Sequence, residues 1–85
     1  MKMFNPPHPG ETLLEIFLIP QKINQNTLAE KLGLSLSTFQ LLLEGVNPID
    51  REIANRLSTA LGTSSEMWLA MQKNYDEWQA EHPHP

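Results

Sequence analysis

The chain has 85 residues, no cysteine, and six Lys and Arg against ten Asp and Glu, a net charge of −4. That length supports one small domain, hiding only about 60% of the unfolded chain's surface, and the missing cysteines exclude disulfides, thiol catalysis and cysteine zinc sites. The acidic balance gives no bulk attraction to nucleic acid but suits a basic protein partner, while 40% hydrophobic residues are enough for a globule and too many for a wholly disordered chain.

Residues 1–9 hold Pro6, Pro7 and Pro9 and read as an extended N-terminal arm without a signal-peptide apolar core. Pro9-Gly10-Glu11 opens the first helix. Leu13, Ile16, Phe17 and Pro20 are expected on one face of it, with Pro20 as its stop. The longest apolar stretch, Leu13 to Ile19, is broken by Glu15 and falls far short of the roughly 20 residues that cross a bilayer. A cytoplasmic location is therefore expected.

Asn24 is an N-cap for a second helix, Gln25 to Leu32, which Gly33 ends. Ser35 caps a third helix with Leu36, Phe39, Leu42 and Leu43 as its apolar stripe, stopped by Gly45. Val46-Asn47-Pro48 is a loop. Asp50 caps the fourth helix, with Ile49 as a hydrophobic staple and Ile53, Ala54, Leu57, Ala60 and Leu61 facing inward. Gly62 ends it. Thr63-Ser64-Ser65-Glu66 has the pattern of a capping box for the fifth helix, where Trp68, Met71, Tyr75 and Trp78 recur at three- and four-residue steps. Residues 81–85 are expected to form a flexible tail. No stretch alternates as a strand would, so the expectation is an all-α domain over residues 10–80.

Residues 25–45 carry the most informative pattern. Leu28, Ala29, Leu32, Gly33, Leu34, Phe39 and Leu42 stand at the spacings of a helix-turn-helix. Ala29 is small where the next helix crosses, Gly33 makes the turn, and the large apolar residues fill the wedge. Such a pair presents the start of its second helix to the major groove. An ordinary helical hairpin in a bundle is the alternative; seven matching positions with caps at both helix starts favour the helix-turn-helix.

With those residues in place, the chain resembles a known family. His8-Pro9-Gly10-Glu11 leads the first helix. Leu28-Ala29-Glu30-Lys31-Leu32-Gly33-Leu34-Ser35 forms the turn, and Ala54-Asn55-Arg56-Leu57 lies in the fourth helix. Leu61 through Leu69, then Gln72 through Tyr75-Asp76, close the chain. Together they look like the HigA-type antitoxins, a branch of the Cro/cI-type helix-turn-helix regulators. The resemblance implies a five-helix Cro/cI-type domain that forms a homodimer. It further implies binding to double-stranded operator DNA as an autorepressor, and neutralisation of a small basic RelE-like mRNA-cleaving toxin.

Carried over by position, Ser35, Ser37, Thr38, Gln40 and Leu41 would face DNA from the recognition helix. Gln40 has the amide that pairs with adenine, and Gln25 would meet a phosphate at the start of the second helix. The pattern departs from the family in charge: residues 25–45 hold Lys31 as their one cation, against Glu30 and Glu44, and Val46-Asn47 follows Gly45 where basic residues are usual. Phosphate contacts therefore fall to Lys22 and Arg51, with Arg56 and Lys2 as further candidates. Met71, Tyr75 and Trp78 are expected in the dimer contact. A stand-alone regulator without a toxin, and a protein-binding module that has lost specific DNA binding, are the alternatives. His8, His82, His84, Asp50, Glu52, Asp76 and Glu77 show neither metal-ligand spacing nor a triad, so no catalytic residue, metal or cofactor is expected.

Overall fold

A computed structural model describes residues 6–81. Five helices account for its regular structure: α1 over residues 9–21, α2 Gln25–Lys31, α3 Leu36–Leu43, α4 Arg51–Leu61 and α5 Ser65–Glu81. Among the described residues there is no strand, and no helix is long and apolar enough to cross a membrane.

The first helix opens at Pro9-Gly10-Glu11 as expected, but it is wound differently from what the apolar spacing suggests. His8 caps it, its ring Nδ1 accepting the Gly10 N–H at 2.9 Å, and Pro9 fills the first position, where an N–H would have no partner. His8 and Pro9 are buried, so the arm expected over residues 1–9 ends at residue 7. Residues 1–5, with Lys2, and residues 82–85, with His82 and His84, lie outside the described residues.

Within α1, Leu13–Leu18 is a π-helical segment between the α turns Pro9–Thr12 and Ile19–Gln21. Bonds in a π turn reach back five residues; the Ile19 N–H reaches Leu14 O. Residues five apart then share a face, and Leu13 and Leu18 are both buried. Ile16, expected inward from a 3.6-residue period, is instead 59% exposed. Pro20 does not stop the helix either. It sits inside the last turn, which closes at Lys22 in the left-handed region, φ 55°. The wider turns before it give the pyrrolidine ring the room that an α turn denies.

The next three helices begin where their caps predict. The Thr27 N–H donates to Asn24 Oδ1 at 3.1 Å, the Thr38 N–H to Ser35 Oγ at 3.2 Å and the Ile53 N–H to Asp50 Oδ1 at 2.9 Å. The cap of α5 is shifted by one. Ser64 Oγ, not the Thr63 hydroxyl, accepts from the Met67 N–H at 3.1 Å. Thr63 is occupied elsewhere: its Oγ1 accepts from Trp68 Nε1 at 2.7 Å. Trp68 is completely buried, so its indole N–H needs that partner.

Trp68 packs with Phe17 of α1, ring centroids 5.6 Å apart, in a core that also holds Leu28, Leu32, Phe39, Leu42, Ile49, Ala54 and Leu57. One polar side chain fixes the loop before α4 to α5. Gln72, 7% exposed, accepts the Ile49 N–H at 2.8 Å through Oε1 and donates to Asp76 Oδ1 at 2.9 Å through Nε2. Without that amide a buried N–H would be left unsatisfied, at a cost of about 1–3 kcal/mol.

Candidate nucleic-acid interface

Helices α2 and α3 form the helix-turn-helix, and two backbone hydrogen bonds close its turn. Gly33 takes φ 71°; its N–H donates to Glu30 O at 3.0 Å and the Leu34 N–H to Ala29 O at 2.9 Å. This paired closure needs a left-handed residue, which glycine adopts without steric cost. A Cβ here would also lie 2.7 Å from a terminal guanidinium nitrogen of Arg56. Arg56 thus lies over the turn, held from the other side by Glu52 at 2.9 Å. That engagement makes Arg56 a support for the turn and a weak candidate for phosphate.

On the outer surface of α3, Ser35, Ser37, Thr38, Gln40 and Leu41 are all exposed. The Ser35 hydroxyl is already engaged: it accepts from the Thr38 N–H, donates to Thr38 Oγ1 at 2.9 Å and lies 3.5 Å from Ser37 Oγ. It therefore acts first as a cap. Thr38 Oγ1, as the acceptor of that bond, keeps its own proton to donate outward. Gln25 is half-buried and shares a shallow cleft of about 300 Å³ with Gln40, Leu14, Leu43 and Glu44. The cleft brings the two glutamines, 15 positions apart, onto one surface. Lys22 and Arg51 are exposed on flanking segments, without an ion pair among the described residues.

Two residues that the spacing did not single out for the interface join this surface. Asn47 Nδ2 donates to Thr38 O at 3.4 Å, tying the following loop to α3. Val46 is 63% exposed beside it, its N–H donating to Leu41 O at 2.9 Å. The sequence signal for both is their place directly after Gly45.

The back of α3 is set by α1 and α5. Gly45 packs against the His8 ring, whose Cβ and Cγ would each lie 3.4 Å from a Cβ at residue 45. That ring meets Tyr75 of α5 edge-on, centroids 4.8 Å apart and planes 80° apart. Met71 packs against the core; Met71, Tyr75 and Trp78 are all half-buried. The face assigned to a dimer contact is thus partly engaged within the domain.

Burial lowers the His8 pKa from its ordinary 6.5, with Asp76 and Glu11 pulling the other way. A lowered folded-state pKa means that the unfolded chain takes up the proton first. Stability is therefore full above about pH 6.5 and declines as the pH falls through that value toward the folded one. The melting temperature is expected to drop between pH 7.5 and 5.5. It should drop less in His8→Asn, whose amide oxygen can keep the cap; an identical pH dependence in both proteins would remove His8 as the cause.

No protein-family profile matches the chain. Individual relatives do. The HTH-type transcriptional regulator YddM of Escherichia coli K12 is 33% identical, over 95% of this chain and 85% of that one. The structure of a putative antidote protein of a plasmid maintenance system from Nostoc punctiforme is 40% identical with a TM-score of 0.86, covering 95% of this chain and 88% of that one. Pseudomonas aeruginosa antitoxin HigA, solved with the higBA promoter, is 30% identical with a TM-score of 0.77, covering 94% and 96%. At that identity and coverage, over a domain with the same helix-turn-helix, the chain belongs to the HigA-type antitoxins of the Cro/cI-like helix-turn-helix family.

Proposed function

We propose that this protein is a cytoplasmic antitoxin that binds the operator of its own operon as a homodimer, represses it, and masks a small basic toxin. The observation that carries the DNA role is the exposed row Ser37, Thr38, Gln40 and Leu41 on a helix whose turn is fixed by Gly33 and Arg56. The likeness to a HigA solved with promoter DNA supports the same role. The net charge of −4 supports the toxin role, since a basic partner is attracted over a long range and the complex is closer to neutral. Both roles are binding roles, with no cofactor and no chemical step.

Gln40→Ala tests the reading of bases. An amide paired with adenine is worth about 1–3 kcal/mol of discrimination, so affinity for the operator should fall roughly 5- to 150-fold in a gel-shift titration. The melt should change by no more than about 0.5 kcal/mol, because the side chain is exposed. Wild-type affinity in the mutant would mean that α3 does not read bases.

Dimerisation is assigned to Met71, Tyr75 and Trp78 on α5. Tyr75→Ala combined with Trp78→Ala is expected to give a monomer in light scattering, with helical content retained in circular dichroism. A dimer mass in that variant would place the contact elsewhere. A stand-alone regulator is separated from an antitoxin by co-purification with the product of a small basic reading frame immediately upstream.

A further inference from the structure

We infer that Leu41 is a specificity-determining residue, and that it reads the C5-methyl group of a thymine in each operator half-site. The inference rests on the operator reading proposed above and deepens it. It starts from three consecutive leucines at the end of α3. Leu42 and Leu43 are buried, 1% and 7% exposed, whereas Leu41 is 41% exposed. A single exposed leucine is ordinary, but its position here is not neutral. Leu41 stands one turn after Ser37 and next to Gln40, so its side chain belongs to the same outward row. Its carbonyl accepts from the Val46 and Asn47 N–H groups at 2.9 and 3.3 Å. The chain is closed at that point, which fixes the backbone of Leu41.

The chemistry of the row then narrows what it can read. Guanine is usually read by Arg or Lys, adenine by Asn or Gln, and thymine by an apolar contact with its methyl group. The outward row of α3 contains no Arg or Lys. Gln40 supplies the adenine-type amide and Leu41 the one large apolar surface. A polar edge placed against Leu41 would lose water and gain no hydrogen bond; a thymine methyl would lose only unfavourable hydration. The half-site therefore has an A·T step under the end of α3, with the thymine methyl against Leu41.

The test begins with selection from a pool of random 30-base-pair duplexes by the full-length protein. In the enriched sequence, each thymine is replaced in turn by deoxyuridine, which removes the methyl and leaves every hydrogen-bonding group. One thymine per half-site is expected to show a loss of about three- to fivefold, the partition value of one buried methyl. In Leu41→Ala the same replacement should have no effect, while the mutant melts like the wild type. Enrichment that depends on Gln40 but is indifferent to every deoxyuridine overturns the role of Leu41 and leaves the operator reading standing. A deoxyuridine effect that persists in Leu41→Ala overturns the assignment of the methyl to this residue. No enrichment at all overturns the operator reading, and this inference with it.

Discussion

Replacing Gly10 by alanine is expected to destabilise this domain by about 3 kcal/mol or more. The same change inside an ordinary helix stabilises, by about 0.5–1 kcal/mol, because alanine loses less backbone entropy than glycine. Here the sign reverses. A Cβ on Gly10 would overlap the carbonyl oxygen of Leu42, and would lie 2.8 Å from its carbonyl carbon and 3.1 Å from Leu43 Cα. These are backbone atoms of the recognition helix, with no rotamer that moves them aside. Relief requires α1 to lift off α3, taking His8, Leu13 and Phe17 out of their contacts. Overpacking a core costs about 1–3 kcal/mol and occasionally more; a clash between two backbones belongs at or above the top of that range. A loss of about 3 kcal/mol corresponds to roughly 12–24 °C in a domain of this size. Thermal and urea melts measure it, and a variant melting within a few degrees of wild type would show that α1 does not approach α3 so closely.

The second large effect is the dependence of DNA binding on salt. Each phosphate neutralised contributes roughly −0.9 to the slope of log K against log salt. Lys22 and Arg51 are exposed and without ion pairs among the described residues, whereas Arg56 is committed to Glu52 and the turn. Two cations per subunit give a dimer four contacts and a slope near −3.6, so affinity should fall about 150-fold between 50 and 200 mM salt. Val46→Lys puts a cation on an exposed position directly after α3. It should steepen the slope to about −5.4 and tighten binding at low salt by tenfold or more. Adding the basic toxin should also tighten binding, by offsetting the negative charge. Titrations of an operator fragment at several salt concentrations measure all three terms. A wild-type slope steeper than about −8 would mean that DNA lies on another surface.

The helix starts at Asn24, Ser35 and Asp50 were legible because a cap is local chemistry: one side-chain oxygen and an N–H three residues on. The turn at Gly33 was legible for the same reason. The first helix was not. Its inward face follows a five-residue step from Leu13 to Leu18, and apolar spacing read with a 3.6-residue template assigns Ile16 to the core. Pro20, which an α turn would exclude, is the one local sign of the π turns, and it does not give their extent. His8 looked like part of an arm because three prolines surround it, yet it is fixed by Gly45 and Tyr75, 37 and 67 positions away. Thr63 looked like a cap because the spacing to Glu66 fits one, and Trp68 claims it instead. At the interface, the exposed row on α3 was readable from its helix and cap. The support of the turn by Arg56 was half readable: the four-residue step from Glu52 indicates the ion pair, but only the fold lays the guanidinium over Gly33.

The meeting of α1, the end of α3 and α5 at His8 has a consequence for synthesis. The first helix leaves the ribosome earliest, yet its partners are Leu42, Gly45, Trp68 and Tyr75, all made much later. Contacts of such sequence separation form only after the loop-closure entropy between them has been overcome. While α5 is still inside the exit tunnel, α1 has no Trp68 to cover, and α3 lacks the backing that sets its outward row. A nascent chain thus carries the helix-turn-helix sequence before it can present the helix-turn-helix surface, and competence to engage DNA arrives with α5.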